Sequence, residues 1–233
     1  MMRLLIIITF CSVLLAACGD SDSKYNASGI GSVELNDSVF AIHYYSNTLL
    51  LSDATPRGSL RDSSRVYFTG SGELIAEGDG GSVYQFTPYE LSDDVTSQLL
   101  LLDSVAQASA DTMRMARSRE GFFAQNVHIT RDWRRNDFLD ATGFYPGVND
   151  GAGDCFAFFA DTATIGTDTA EVWLRLCRAK RDSVQMVTRH ISTPINCLRD
   201  SSRERIVVKI SRIDAFGDTV VTNLVYSYVN WVD

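Results

Sequence analysis

Beyond residue 18 the 233-residue chain has no apolar run long enough to cross a bilayer as a helix, which takes about 20 residues. It has no closely spaced cysteine pair, and His43, His128 and His190 stand at no ligand spacing from Cys155, Cys177 or Cys197, so no metal site is expected from these residues. No Gly-x-Ser-x-Gly elbow occurs and no cysteine has a catalytic neighbourhood, which argues against a nucleophilic triad. Gly78-Asp79-Gly80-Gly81 is too short and isolated for a phosphate loop and reads as a hairpin turn. Positive charge is also scarce, with 21 basic residues against 29 acidic ones and a net charge of −8. Such a surface repels phosphate backbones, so nucleic acid is not expected as a partner. No repeat of fixed period is visible.

What is present begins at residue 1. Arg3 gives a positive start, Leu4 to Ala17 is almost unbroken apolar sequence, and Leu15-Ala16-Ala17-Cys18 closes it with small residues before a cysteine. This is the pattern of a secretory signal over 1–17 with a lipoprotein cleavage box, Cys18 taking the acyl chains, palmitate among them. The alternative, an uncleaved anchor, needs a longer run. Gly19 is not the aspartate that retains lipoproteins in the inner membrane, so an outer-membrane address is expected, on either its periplasmic or its outer side. The exported chain would keep 20 basic and 29 acidic residues, a net charge of −9.

Residues 18–31 are rich in Ser, Asp, Gly and Asn and read as a lipidated tether. From residue 32 to 90, five short β-rich runs (Ser38 to His43, Leu49 to Ser52, Arg65 to Thr69, Glu73 to Glu77, Ser82 to Thr87) are separated by Gly-, Asn- and Pro-containing turns. Five strands in so short a span suit a small closed barrel of OB type. Residues 91–121 read as a linker, part helical: Ser92 can cap a helix, and Val95, Leu99, Leu102 and Ala106 have helical spacing. Leu99 to Leu102 fits a buried strand as well. Arg114, Arg117 and Arg119 at its end read as a solvated face.

From 122 to 233 the strand runs are longer. Ala170 to Arg178 alternates, with Val172, Leu174 and Leu176 on one side and Trp173, Arg175 and Cys177 on the other. Seven such runs predict an antiparallel β-sandwich, with Asp214 to Asp218 as the last hairpin turn. The fold class is thus mostly β, a barrel followed by a sandwich.

Candidate sites are few. Once Cys11 leaves with the signal and Cys18 is acylated, three thiols remain for an oxidising compartment, enough for one disulfide. Cys155 and Cys177, placed symmetrically about Gly166, are the favoured pair, with Cys197 able to displace either. Trp133, Tyr145 and Trp231 are the candidate glycan contacts, because flat rings stack on sugar faces. The three histidines, all in or beside strand runs, are expected to be satisfied by hydrogen bonds rather than free. Asn149 to Asp154 offers oxygen ligands to calcium but lacks EF-hand spacing and reads foremost as a loop.

The order of these features resembles the NigD-like lipoproteins of Gram-negative anaerobes. The resemblance rests on Cys18 followed by Gly19, Asp20 and Asp22, on Ser64-Arg65-Val66-Tyr67-Phe68, on Asp132-Trp133-Arg134-Arg135-Asn136-Asp137-Phe138-Leu139, on Val187-Thr188-Arg189-His190 and on Ile206 to Tyr228. It implies an OB-like barrel followed by a sandwich, no known enzymatic activity and no catalytic residue to place. The expected function is therefore a non-enzymatic binding or accessory module for a protein or glycan, without cofactor. A glycan hydrolase with paired carboxylates and a passive envelope protein are the alternatives.

Overall fold

Alternation of inward and outward side chains gives the chain two separate cores. They are seen in a computed structural model that describes residues 24–102, 114–147, 153–179, 185–199 and 202–227. Cys18, Trp231 and most of the loop 149–154 lie outside the described residues.

The first core is a closed barrel of β1 (Tyr25–Leu35), β2 (Phe40–Tyr44), β3 (Asn47–Leu51), β4 (Arg65–Gly78) and β5 (Gly81–Asp94), in the order β1-β2-β3-β5-β4. Val33, Ile42, Leu49, Val66 and Phe68 fill its interior. Two sequence expectations change here. The tether ends by Tyr25 rather than at residue 31, because Asn, Ser and Gly residues of β1 pair with β4 from Tyr25↔Gly72 to Ser32↔Arg65. Those glycines serve close approach: a Cβ on Gly31 would lie 2.4 Å from Ile42, and one on Gly29 2.6 Å from the Tyr44 ring. The two runs expected on either side of Gly70-Ser71-Gly72 are one bulged strand, β4. A Cβ on Gly70 would meet the Thr87 carbonyl at 2.4 Å, so these residues mark tight packing on β5 rather than a turn.

The second core lies between two facing sheets. One carries β7 (Phe123–Arg131), β8 (Asp137–Gly147) and β11 (Gln185–Pro194) in the order β11-β8-β7. The other has the order β13-β12-β10-β9-β6, with β6 (Leu100–Leu102), β9 (Cys155–Asp161), β10 (Thr169–Cys177), β12 (Arg205–Ile213) and β13 (Thr219–Ser227). This is the expected sandwich, but not a wholly antiparallel one, since β10 runs parallel to β12 and β6 to β9. Of the two readings for Leu99 to Leu102, the strand holds. Ser92 lies within β5 instead of capping a helix, and residues 114–116 form one helical turn.

Candidate functional site

The two cores meet along a seam built on polar groups. Arg65, the first residue of β4, is 2% exposed and points out of the barrel into the three-stranded sheet. Its Nη2 donates to Asp140 Oδ2 at 2.5 Å and to Thr130 Oγ1 at 2.7 Å, its Nε to Ser192 Oγ at 2.9 Å, and its Nη1 to Ser32 Oγ at 2.7 Å. Ser192 and Thr130 in turn donate to Asp140 at 2.5 and 2.6 Å, and the Arg65 guanidinium lies 4.6 Å over the Phe138 ring. A buried ion pair tolerates desolvation when its remaining donors and acceptors are met, and here four hydrogen bonds serve the guanidinium and three the carboxylate. Backbone closes the seam too: Ser97 N–H donates to Ser192 O and Ser192 N–H to Val95 O, while the Tyr67 ring stacks on His190 at 3.6 Å.

A second ionic cluster sits at the start of β8. Asp137 accepts from Arg131, Arg199 and the Tyr226 hydroxyl. Burial pushes its carboxyl up, but those three donors outweigh burial and hold it below the usual carboxylate range. The same burial and the neighbouring carboxylate raise Tyr226 far above an ordinary phenol.

At the surface the seam opens as a cleft. A cavity of about 490 Å³ is lined by Tyr45, Ser46, Ile129, Thr130 and Arg131. A smaller one of about 100 Å³ shares Tyr45 and adds Ser28, Tyr44, Asn126, His128 and Thr142 among its walls. Tyr45 is 68% exposed, and its ring lies 6.4 Å from that of His128. Both flanks hold unusual backbone: Tyr45, in the β2–β3 turn, has φ 53°, and Asn126, at the bulge of β7, has φ 52°. A tyrosine in the left-handed region is uncommon, and such conformations gather at ligand-binding surfaces. The bulge also sets the tautomer of His128. Its Nδ1–H donates to Asn126 O at 2.6 Å, which leaves Nε2 a buried acceptor with no hydrogen-bond partner among the described residues.

The residues singled out from sequence are distributed unevenly over this picture. Trp133 is on the β7–β8 turn, 41% exposed, with His43 at 5.4 Å and Arg134 at 4.5 Å from its ring, and Arg134 pairs with Asp62 of the barrel. It therefore remains a surface ring, on the sandwich side of the seam and facing His43 of the barrel. Tyr145 does not: it is 0% exposed within the sandwich core, so it is corrected from a glycan contact to a packing residue, its place on β8 facing inward. Cys155 and Cys177 are directly opposite one another on β9 and β10 as free thiols, while Cys197 is exposed on a separate single turn, Asn196–Leu198. His43 is satisfied by Glu34 and Thr48, and His190 by Thr142, but His128 is the exception just described. Arg65, Asp140, Tyr45, Asn126 and His128 carried no signal in the sequence as a group, since they are joined only by the meeting of β4 and β8 and of β2 and β7.

Neither a protein-family model nor a curated protein matches the sequence. Solved structures do match its shape. A NigD-like immunity protein from Bacteroides caccae superposes with a TM-score of 0.53 at 14% identity, over 89% of this chain and 98% of its own. A candidate lipoprotein from Bacteroides fragilis gives 0.58 at 9% identity, over 89% and 100%, and a protein of unknown function from Bacteroides vulgatus gives 0.58 at 14%, over 89% and 93%. The chain has the NigD-like fold. Both halves are shared, because the coverage is nearly complete on each side. The short motifs behind the resemblance sit largely on the seam: Arg65 and Tyr67 on the barrel side, Trp133, Asp137, Phe138 and His190 on the other. In this chain that interface fixes the barrel and the sandwich together.

Proposed function

We propose that this protein is an envelope lipoprotein, anchored to the outer membrane through Cys18, and that its seam cleft binds a glycan without catalysing a reaction on it. The cleft carries this reading. It is within the roughly 300–1,000 Å³ range of small-ligand sites and offers the exposed Tyr45 ring for stacking, while the small adjoining pocket shares Tyr45 and is walled by His128. The exposed Trp133 ring, on the β7–β8 turn, adds a second surface aromatic at the seam. The rigid, ion-paired seam beneath favours recognition by a preformed surface.

A binding role is favoured over hydrolysis by the lining. Among the described residues neither seam cavity is lined by a carboxylate, and the nearby Asp137 and Asp140 are taken up by arginines. Retaining and inverting hydrolases need two carboxyl groups about 5–10 Å apart across the scissile bond. The lipoprotein and immunity-protein names of the structural neighbours agree with an accessory role in the envelope.

The test is a glycan array probed with the exported protein and with Tyr45→Ala and Trp133→Ala. Binding to a defined glycan set that weakens at least about tenfold in Tyr45→Ala, with an unchanged melting temperature, supports the cleft. Array binding indifferent to both substitutions removes it. Crosslinking and affinity capture from native envelopes runs alongside, and a protein partner that crosslinks through the β2–β3 turn would replace the glycan with a protein at the same site.

A further inference from the structure

The far end of the sandwich, away from the seam, joins apolar and cationic surface in an otherwise acidic chain. The β12–β13 turn lifts Phe216 to 82% exposure, its ring 5.9 Å from that of Phe123, which is also exposed. With Met186, Pro146 and Ala215 they line a groove of about 520 Å³. Beside it lies a cavity of about 510 Å³ walled by Arg114, Arg117, Arg119, Arg178 and Glu120, and Arg178 lines both. Glu120 accepts from Arg178 at 2.6 Å, so the excess positive charge at the hollow rests chiefly on the exposed Arg117 and Arg119. The first three are exposed, in keeping with the solvated face expected from the sequence, and the fold gathers them with Arg178 around one hollow.

This presentation is built rather than loose. Asp214 Oδ1 accepts from the backbone N–H of Phe216 and of Asp218, each at 2.9 Å, and Gly217 takes the φ of 91° that closes the turn. Gly121 lets the turn dock, because a Cβ there would lie 2.1 Å from the Asp214 carbonyl. A tight turn that holds a phenylalanine in water has no folding advantage to explain it, and exposed apolar patches of this kind mark contact sites.

We infer that this end is a membrane-contact surface that binds anionic phospholipid. Aromatic and thioether side chains enter the headgroup–acyl boundary, while arginines bind the phosphates in bidentate fashion. Charge complementarity selects this occupant: the exported chain is acidic overall, at a net −9, and is repelled by an anionic bilayer except where the arginine-bearing end faces it, so the contact fixes orientation. The surface is separate from the seam cleft and depends on neither a glycan nor the acyl anchor.

The test uses the exported chain with Cys18→Ser, which carries no acyl group, sedimented with phosphatidylcholine vesicles with and without phosphatidylglycerol. Binding is expected only with phosphatidylglycerol, weakened by added salt, and reduced at least about tenfold in Arg117→Glu/Arg119→Glu. Phe216→Ser should weaken it separately, with array binding at the cleft intact in every variant. No sedimentation, sedimentation equal on both vesicles, or complete displacement by millimolar inorganic phosphate would overturn the proposal, the last by showing a free-anion site. The charge-reversed residues are exposed, and melting curves are to check that each variant is folded.

Discussion

Arg65 and Asp140, seventy-five residues apart in sequence, form a fully enclosed ion pair with 2.5 Å between Nη2 and Oδ2, and their side chains are 2% and 0% exposed. One belongs to the barrel and the other to the sandwich, so the pair acts as a register pin between two hydrophobic cores. Each partner makes the other tolerable, because either charge alone in that setting would lack compensation.

It follows that Arg65→Met or Asp140→Leu alone should destabilise the protein by about 3–5 kcal/mol, the cost of stranding one buried charge. The double substitution should recover most of that loss. Urea unfolding of the exported chain measures both, and a single-variant loss below about 1 kcal/mol would mean that the pair is reached by water and pins nothing.

What could be read ahead from the sequence was whatever repeats along a strand. Ala170 to Arg178 alternates, and in the structure Val172, Leu174 and Leu176 are buried while Trp173, Arg175 and Cys177 are partly exposed. Barrel and sandwich followed from that kind of signal. β1 was hidden because a small barrel needs glycine where strands approach closely, and Asn, Ser and Gly in series look like a tether. The cleft was hidden for a different reason: Tyr45, Asn126 and His128 come together through a turn and a bulge, and neither has a period.

The register of β9 on β10 places Cys155 directly across from Cys177, with both side chains on one face. In an oxidising compartment the two thiols should transfer two electrons and two protons through exchange with a disulfide donor, leaving a cross-strand disulfide. Peptide mapping of envelope-purified protein, alkylated before reduction, should find Cys155 linked to Cys177 and Cys197 alkylated. Replacing the pair by serine should lower stability by about 3 kcal/mol relative to the oxidised form. A map with all three cysteines alkylated would remove the bond.

His190 predicts how the seam responds to acid. Burial lowers its pKa from an ordinary 6.5 to about 4, where it stacks on Tyr67 and pairs with Thr142. The unfolded chain therefore binds a proton that the folded chain refuses between pH 6.5 and about 4. The stabilisation is complete above pH 6.5 and is lost as pH falls through that window, by about 1–2 kcal/mol once partial solvent access is allowed for. Thermal unfolding from pH 7 to 4 should show the decline, and His190→Gln should flatten it in that window.

Gly78-Asp79-Gly80-Gly81 is one hairpin turn with three glycines, and only the last is required by geometry. Gly78 and Gly80 have nothing within 4 Å of an added Cβ, whereas at Gly81 it would fall 1.6 Å from the Ser46 carbonyl, on a backbone at φ 116°. The β4–β5 turn thus lies directly against the β2–β3 turn that carries Tyr45. Gly80→Ala should be nearly neutral, while Gly81→Ala should lose at least about 2 kcal/mol from strain, before any displacement of Ser46. Displacing Ser46 moves Tyr45 with it, so the small loss of volume tolerance at Gly81 should also appear as weaker glycan binding at the seam. Equal melting temperatures for the two alanine variants would show that the turns do not touch in solution. A destabilised Gly81→Ala with undiminished binding would instead separate the barrel's closure from the cleft, and leave Tyr45 held by the turn alone.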